Sequence, residues 1–211
     1  MKHLFLGFIT LALMLTACSR EEVVTDLNAT DKNMLESFEI KRNSDGSYAL
    51  THEIIEGVAV DYSATKTHNE IYFYSDVDAE KHSITQNYNV ENNTLNFVFL
   101  DENNSKLPRV SILDDNTLEK GGDLGLLDTY SLVFNQDGTA QLDFIVETGV
   151  DVAFGYNEAE NINDIYLTEG SSTQLNYTQT YNRETDGSLR IDFVQTADKT
   201  SETKKPRVIF D

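Results

Sequence analysis

The 211-residue sequence has no tryptophan, two prolines, one cysteine and only 16 lysine and arginine residues. Because a single cysteine cannot form an intramolecular disulfide, the fold has to depend on its apolar core. Asp and Glu number 36, so the formal net charge is −20. A chain this acidic has no basic stripe for phosphate groups, and we expect no nucleic-acid partner. The same charge favours a soluble monomer.

Sequence motifs for catalysis are also missing. There is no Gly-x-Ser-x-Gly motif and no glycine-rich phosphate loop, and the spacing of His52, His68 and His82 matches no zinc motif. We therefore expect no catalytic residue, no metal and no cofactor, and predict that the protein is not an enzyme. Acidic clusters at 101–104 and 114–116 could offer oxygen ligands to calcium, but solvated loops are the preferred interpretation.

The N-terminus carries the clearest motif of the chain. Lys2 and His3 precede an apolar stretch from Leu4 to Leu15, which is too short to span a bilayer. The run Leu15-Thr16-Ala17-Cys18 resembles the lipobox of bacterial lipoproteins. The resemblance implies that residues 1–17 are a signal peptide and that Cys18 carries two or three acyl chains. Stable attachment to a membrane requires more than one such chain.

The residues after Cys18 refine the expected location. Ser19-Arg20-Glu21-Glu22 resembles the export signal of Bacteroidota surface lipoproteins. It implies a lipid-anchored protein of the outer membrane, exposed at the cell surface or, alternatively, facing the periplasm. Residues 18–34 are expected to form a flexible tether. No second apolar stretch is long enough to span a membrane, so the lipid is the expected membrane contact.

The rest of the chain contains an internal duplication. Four ordered groups of residues recur 92 to 98 positions later: Asp45-Gly46-Ser47 as Asp137-Gly138-Thr139, Gly57-Val58 as Gly149-Val150, Thr85-Gln86 with Tyr88-Asn89 as Thr178-Gln179 with Tyr181-Asn182, and Pro108-Arg109-Val110 as Pro206-Arg207-Val208. We expect one β repeat at 35–114, a linker at 115–128 and a second β repeat at 129–211.

Apolar residues alternate with polar ones in both repeats, which predicts β-strands with one buried face. In the first repeat the predicted strands lie near 36–42, 47–55, 58–64, 69–75, 83–90, 93–100 and 109–113. Asp45-Gly46 and Asp137-Gly138 predict tight hairpins, and Asn92-Asn93 and Asp186-Gly187 a second hairpin in each repeat. Pro108 and Pro206 should begin their strands or lie at a sheet edge.

These patterns predict an all-β fold of two tandem, homologous antiparallel meander units. The alternative is one pseudo-twofold barrel or sandwich built from both repeats. The Asp-Gly-Thr hairpin followed by Thr-x-x-Tyr-Asn resembles lipocalin-like β-meander lipoproteins. That resemblance implies a barrel that carries a small apolar ligand.

Repeated and exposed polar residues are the candidates for a site. Gln86, Tyr88, Gln179 and Tyr181 share the inward parity of their strands, and either lock neighbouring strands together or line a ligand cavity. His52 should be a core histidine, and Arg109 and Arg207 should pair with strand carboxylates. Exposed aromatics are a further candidate for ligand binding: Tyr72 and Tyr74, of which Tyr166 repeats the first.

The leading functional hypothesis is a non-catalytic binding or accessory lipoprotein that holds an envelope protein or a glycan. The absence of tryptophan weakens the glycan version. A lipocalin-like carrier of a small apolar ligand is the first alternative, and a carboxylate-based envelope hydrolase is the second.

Overall fold

The computed structural model describes residues 34–101, 106–114, 126–135, 137–184, 186–198 and 201–210. Within these ranges every regular element is a strand, which confirms the predicted all-β class. The strands are β1 (Leu35–Arg42), β2 (Tyr48–Ile54), β3 (Val58–Ala64), β4 (Asn69–Ser75), β5 (His82–Tyr88), β6 (Thr94–Leu100), β7 (Lys106–Leu113), β8 (Leu127–Asn135), β9 (Thr139–Val146), β10 (Val150–Asn157), β11 (Ile162–Glu169), β12 (Asn176–Asn182), β13 (Leu189–Asp198) and β14 (Ser201–Phe210). The signal peptide, Cys18 and most of the tether lie outside the described residues.

The strands form two sheets, and both repeats contribute to each. The first sheet has the order β12-β9-β8-β1-β2-β5, and the second has the order β10-β11-β13-β14-β7-β6-β4-β3. In the first sheet β1 pairs with β8, and in the second β7 pairs with β14. The repeats therefore do not form separate tandem units. The structure corresponds to the sandwich alternative, and since neither sheet closes, the barrel alternative is wrong.

The register at both junctions reveals a pseudo-twofold axis. On β1 and β8, Ile40 lies opposite Leu132, its own counterpart 92 positions later. On β7 and β14, Ser111 lies opposite Ile209, its counterpart 98 positions later. Each junction therefore pairs a strand with its duplicate, and the axis passes through these two points.

The predicted second hairpin of each repeat is wrong. β5 pairs with β2 in the first sheet, whereas β6 belongs to the second sheet. Asn92 and Asn93, both at positive φ, therefore connect two sheets rather than two paired strands. The prediction of purely antiparallel meanders is corrected as well, because β4 pairs in parallel with β6, as β11 does with β13.

The prolines lie inside central strands, which also differs from the prediction. The register shifts between Val98 and Leu100 opposite Pro108, and between Asp192 and Val194 opposite Pro206. Each proline thus lies in a bulge, where the ladder is interrupted and no amide donor is required. The sequence shows that a proline has no amide hydrogen to donate, but it does not show the bulge in which none is needed.

Aromatic rings join the two sheets and the two repeats. Phe38 on β1 stacks on Phe134 at 4.5 Å between ring centroids, and lies 5.1 Å from Phe99 and 6.0 Å from Phe210. Tyr130 stacks on Phe193 at 5.3 Å. Phe99, Phe193 and Phe210 belong to the second sheet, so one continuous core lies between the sheets.

Candidate functional site

The outer face of the second sheet carries Tyr72 and Tyr74, which the sequence predicted to face away from the core. Ile71 and Phe73 of β4 are completely buried, so the residues between them point away from the core. Tyr72 and Tyr74 stack there, with ring centroids 6.1 Å apart and ring planes inclined by 27°. Both side chains are half-buried, and their exposed surface offers a small aromatic platform.

A groove of about 490 Å³, here called the outer groove, lies on the same face. Its volume is within the range of pockets that hold small ligands. Leu100 lies in the wall of the groove and opposite Tyr72 in the β4–β6 register, which places the tyrosine platform beside it. The groove is lined by Thr67, His68, Glu70, Asn96, Val98, Leu100, Arg109 and Ser111.

His68 is fixed at one side of the groove by its neighbours. Its Nε2 lies 3.0 Å from a Glu70 carboxylate oxygen, and its Nδ1 lies 3.0 Å from the Thr67 hydroxyl. The Thr65 hydroxyl donates to the His68 carbonyl at 2.9 Å, and this closes the β3–β4 turn. The turn therefore places an imidazole, a carboxylate and hydroxyl groups together. The sequence showed these residues but gave no reason to group them.

The two repeated arginines have different environments. Arg207 forms two charge-assisted hydrogen bonds to Asp192, each of 2.6 Å, and the neighbouring carboxylate raises the pKa of the guanidinium. This confirms the predicted pairing for Arg207. Arg109 is exposed in the outer groove, and within the described part of the chain it forms no ion pair. Its predicted pairing is not observed there.

The register explains this difference between the arginines. Asp192 lies opposite Arg207 in the β13–β14 pair, and at the same place in the first repeat Val98 lies opposite Arg109. A valine cannot accept the hydrogen bonds that the aspartate accepts. Among the described residues, the Arg109 guanidinium thus lies in the groove without a carboxylate partner, whereas the Arg207 guanidinium is paired with Asp192.

A second groove, here called the end groove, lies between the β3–β4 turn and the β5–β6 turn. Its volume is about 470 Å³ and its lining is mostly polar, including Asn69, Asn87 and Asn92. Tyr88, a residue singled out from the sequence, lies in its wall. The end groove shares Thr67, His68 and Asn96 with the outer groove. The two grooves therefore meet around His68.

Gln86 and Tyr88 contact each other directly. The Tyr88 hydroxyl donates to the Gln86 side-chain oxygen at 2.7 Å, and the Tyr88 ring packs edge-on against Phe97 of the facing sheet at 4.8 Å. The hydrogen bond runs along one strand, so it differs from the predicted lock between neighbouring strands, and the Tyr88 ring instead reaches across to the second sheet. Burial raises the pKa of the Tyr88 hydroxyl.

The corresponding residues of the second repeat, Gln179 and Tyr181, are half-buried on β12. Burial raises the pKa of Tyr181 to about 12. Tyr177 on the same strand stacks on Phe144 at 5.2 Å and contacts Phe154 of β10 edge-on at 6.4 Å. This end of the sandwich is closed by aromatic rings, whereas Tyr88 at the other end hydrogen-bonds Gln86. The two ends therefore differ in chemistry.

His52 is completely buried, as its inward parity predicted. Its Nε2 lies 2.8 Å from the Tyr62 hydroxyl, while Nδ1 has no hydrogen-bond partner among the described atoms. Burial lowers the pKa of His52 to about 4, so the ring is neutral at pH 7. The prediction of a satisfied core histidine is thus correct for one ring nitrogen.

A buried ion pair lies near the pseudo-twofold axis, and no pattern in the sequence predicted it. Arg42 Nε donates to Asp114 at 2.8 Å, and the Tyr48 hydroxyl donates to the same oxygen at 2.8 Å. Arg42 and Asp114 are 3% and 1% exposed, respectively. Asp114 belongs to one of the acidic clusters interpreted as solvated loops, and that interpretation is wrong for this residue. The rest of both clusters, apart from buried Asp101, lies outside the described residues.

The second repeat contains a carboxylate pair that sequence spacing did not suggest. Asp164 and Asp192 lie opposite each other on the parallel strands β11 and β13. Both side chains are buried. Asp192 accepts hydrogen bonds from Arg207, and Asp164 accepts one of 3.1 Å from the Tyr166 hydroxyl. Asp192 and one oxygen of Asp164 are engaged with neighbouring side chains, and Asp164 Oδ1 is buried with no hydrogen-bond partner among the described atoms. The pair is therefore a buried cluster rather than an open acidic cleft.

The described residues bring together no group of three or more His, Cys, Asp or Glu that could hold a metal ion. They also contain no helix with the length and apolar character needed to cross a membrane.

Fold and surface together define an all-β protein with two facing sheets, built from a duplicated unit and carrying a polar groove in its first repeat. Comparison with protein-family models, curated proteins and solved structures finds no match to this chain.

Proposed function

We propose that the protein is a non-catalytic binding lipoprotein of the bacterial outer membrane, which holds a partner molecule in the outer groove. The observation that carries the proposal is the outer groove itself, which is lined by the exposed Arg109. The stacked tyrosine platform lies beside the wall of this groove, where Tyr72 is opposite Leu100. An aromatic platform next to hydrogen-bonding groups is the arrangement expected of a binding surface.

The groove residues support binding more than catalysis. Among the described residues of the lining, the Thr67 hydroxyl is the one within hydrogen-bond distance of a base, His68, whose other ring nitrogen contacts Glu70. Thr67 lies on the β3–β4 turn, where its amide donates to the Thr65 hydroxyl and its carbonyl accepts from the Asn96 side chain. Thr67 belongs to the structure of that turn. Glu70 is also the single carboxylate among the described lining residues, whereas glycoside hydrolysis by the usual mechanism requires two.

The lipid anchor is tested by replacing Cys18 with serine. Serine lacks the thiol that accepts the acyl chains, so the variant should appear in the soluble fraction with an unchanged β-sheet circular dichroism spectrum. Ser19→Ala is the matched control and should remain with the membrane. A Cys18→Ser protein that stays in the membrane fraction would contradict the anchor.

The binding role is tested by crosslinking on intact cells, with a photoreactive residue introduced at position 74. Position 74 lies on the tyrosine platform, so crosslinks to one defined protein or glycan are expected. The control is a photoreactive residue at position 180. Thr180 is exposed on β12, an edge strand of the first sheet, whereas position 74 lies in the second sheet. Equal labelling from both positions would contradict a specific role of the outer groove.

A further inference from the structure

We infer that the ligand of the outer groove is a carboxylate-bearing saccharide, whose carboxylate pairs with Arg109. This inference rests on the proposed function and specifies the chemistry of the bound molecule. It starts from the comparison of two positions that the duplication makes equivalent, Arg109 and Arg207.

In the second repeat, the arginine has an internal carboxylate partner. Asp192 is completely buried and accepts two hydrogen bonds of 2.6 Å from Arg207. In the first repeat, the same register position holds Val98, and Arg109 points into an open groove. Within the described part of the chain, the Arg109 guanidinium therefore lacks the carboxylate that Arg207 has. A planar carboxylate is the group with which a guanidinium pairs best.

The remaining lining fits a sugar better than a simple anion. Asn96 and Ser111 offer amide and hydroxyl groups, and the Glu70 carboxylate accepts hydrogen bonds from hydroxyl donors. Val98 and Leu100 provide an apolar wall for the C–H face of a pyranose ring, and Tyr72 extends it. Hydroxyl, carboxylate and C–H groups occur together in uronic acids and related acidic sugars.

Glu70 does not oppose the ligand carboxylate at close range. It lies opposite Val98 on β6, and Val98 in turn lies opposite Arg109 on β7. Two strand spacings, roughly 10 Å, therefore separate the backbones that carry the acid and the cation. The net charge of −20 repels acidic ligands at long range, so the local cation at Arg109 has to provide the attraction.

The test uses two probes with the same sugar chain, tetragalacturonate and its fully methyl-esterified form, in which each carboxylate is replaced by a neutral ester. Binding to the purified full chain is measured by isothermal titration calorimetry. The acid should bind at least about 10-fold more tightly than the ester. Arg109→Gln should remove that difference. Arg190→Gln, which changes an exposed arginine of β13 in the second repeat, should leave it intact.

Val98→Asp is the sharper variant, because it recreates the Asp192–Arg207 arrangement in the first repeat. The new carboxylate should pair with Arg109 and abolish acid binding, while the thermal unfolding midpoint stays the same or rises. If Val98→Asp does not fold, Arg109→Gln alone decides the question. Equal effects of Arg109→Gln and Arg190→Gln would overturn the inference.

The probes also separate this inference from the proposed function. If acid and ester bind equally and both are lost in Tyr72→Ala, the groove is a binding site but the carboxylate assignment is wrong. If neither probe binds, the saccharide assignment is wrong, while crosslinking from position 74 still tests the binding role independently.

Discussion

His52 and Phe144 occupy equivalent positions in the two repeats, but only the histidine can take up a proton. Its folded-state pKa is about 4 because of burial, below the usual 6.5. Between these values the unfolded state binds more protons than the folded state. His52 therefore contributes stability that is fully present above about pH 6.5 and is lost as the pH falls through about 4.

The expected loss from this group is about 3 kcal/mol in the free energy of unfolding between pH 7 and pH 4. The double variant His52→Phe/Tyr62→Phe reproduces the Phe144–Phe154 contact of the second repeat and removes the titrating group. Urea unfolding of both proteins at pH 7, 5.5 and 4.5 checks the prediction. The wild type should lose more stability than the variant at each step, and parallel losses would show that His52 does not contribute.

Because the Arg42–Asp114 pair is buried, replacing its carboxylate with an uncharged amide should lower the stability of the protein strongly. Asp114→Asn leaves the 3% exposed Arg42 without its counter-ion, and the expected cost is roughly 3–5 kcal/mol. Lys81→Gln removes a surface pair with Glu36 and serves as the control, with little change expected in the urea midpoint. Similar midpoints for the two variants would contradict the role of the buried pair.

At the scale of the elements, the turn before β3 depends on a glycine. Gly57 has φ +84°, its amide donates to the Ala79 carbonyl, and its carbonyl accepts from the Asp76 amide. Nothing lies within 4 Å of the place where a Cβ would be added, so Gly57→Ala carries a backbone penalty alone. The expected loss is roughly 1–2 kcal/mol.

Gly57→Asn is the matched variant for this turn, because asparagine tolerates positive φ better than alanine. The thermal unfolding midpoint should be highest for the wild type, lower for Gly57→Asn and lowest for Gly57→Ala. An alanine variant as stable as the asparagine variant would show that positive φ is not the constraint.

Strand positions followed from the sequence, whereas strand partners did not. The alternation at Leu50, His52 and Ile54 records which face of β2 is buried, and all three are fully buried. Alternation looks the same in either sheet. It therefore could not show that the chain passes from the first sheet to the second after β5, at Asn92 and Asn93. Partner choice depends on contacts across distant parts of the chain.

The candidate site shows the same limit. Tyr72 and Tyr74 were predictable from parity, because both face away from Ile71 and Phe73. The outer groove was not, since it depends on β4, β6 and β7 becoming neighbours and on Val98 lying opposite Arg109. The duplication does contain a usable signal, because Val98 and Asp192 differ at one equivalent position.

At the scale of the whole molecule, the duplication has become one structural unit. Separating the repeats would break the β1–β8 and β7–β14 pairings and expose Phe38, which stacks on Phe134 and lies 6.0 Å from Phe210. Each half would then expose two unpaired edges and one side of the core. We expect residues 35–115 alone to show no cooperative unfolding as a monomer.

The pseudo-twofold axis adds a condition to this prediction. Since β1 pairs with its own duplicate around Ile40 and Leu132, two copies of the first half could pair through β1 and β7 in the same way. Any cooperative unfolding of residues 35–115 should therefore depend on protein concentration and disappear on dilution. Analytical ultracentrifugation with denaturation at two concentrations separates these cases. A monomeric half with a concentration-independent, cooperative transition would show that the repeats are independent domains despite their shared sheets.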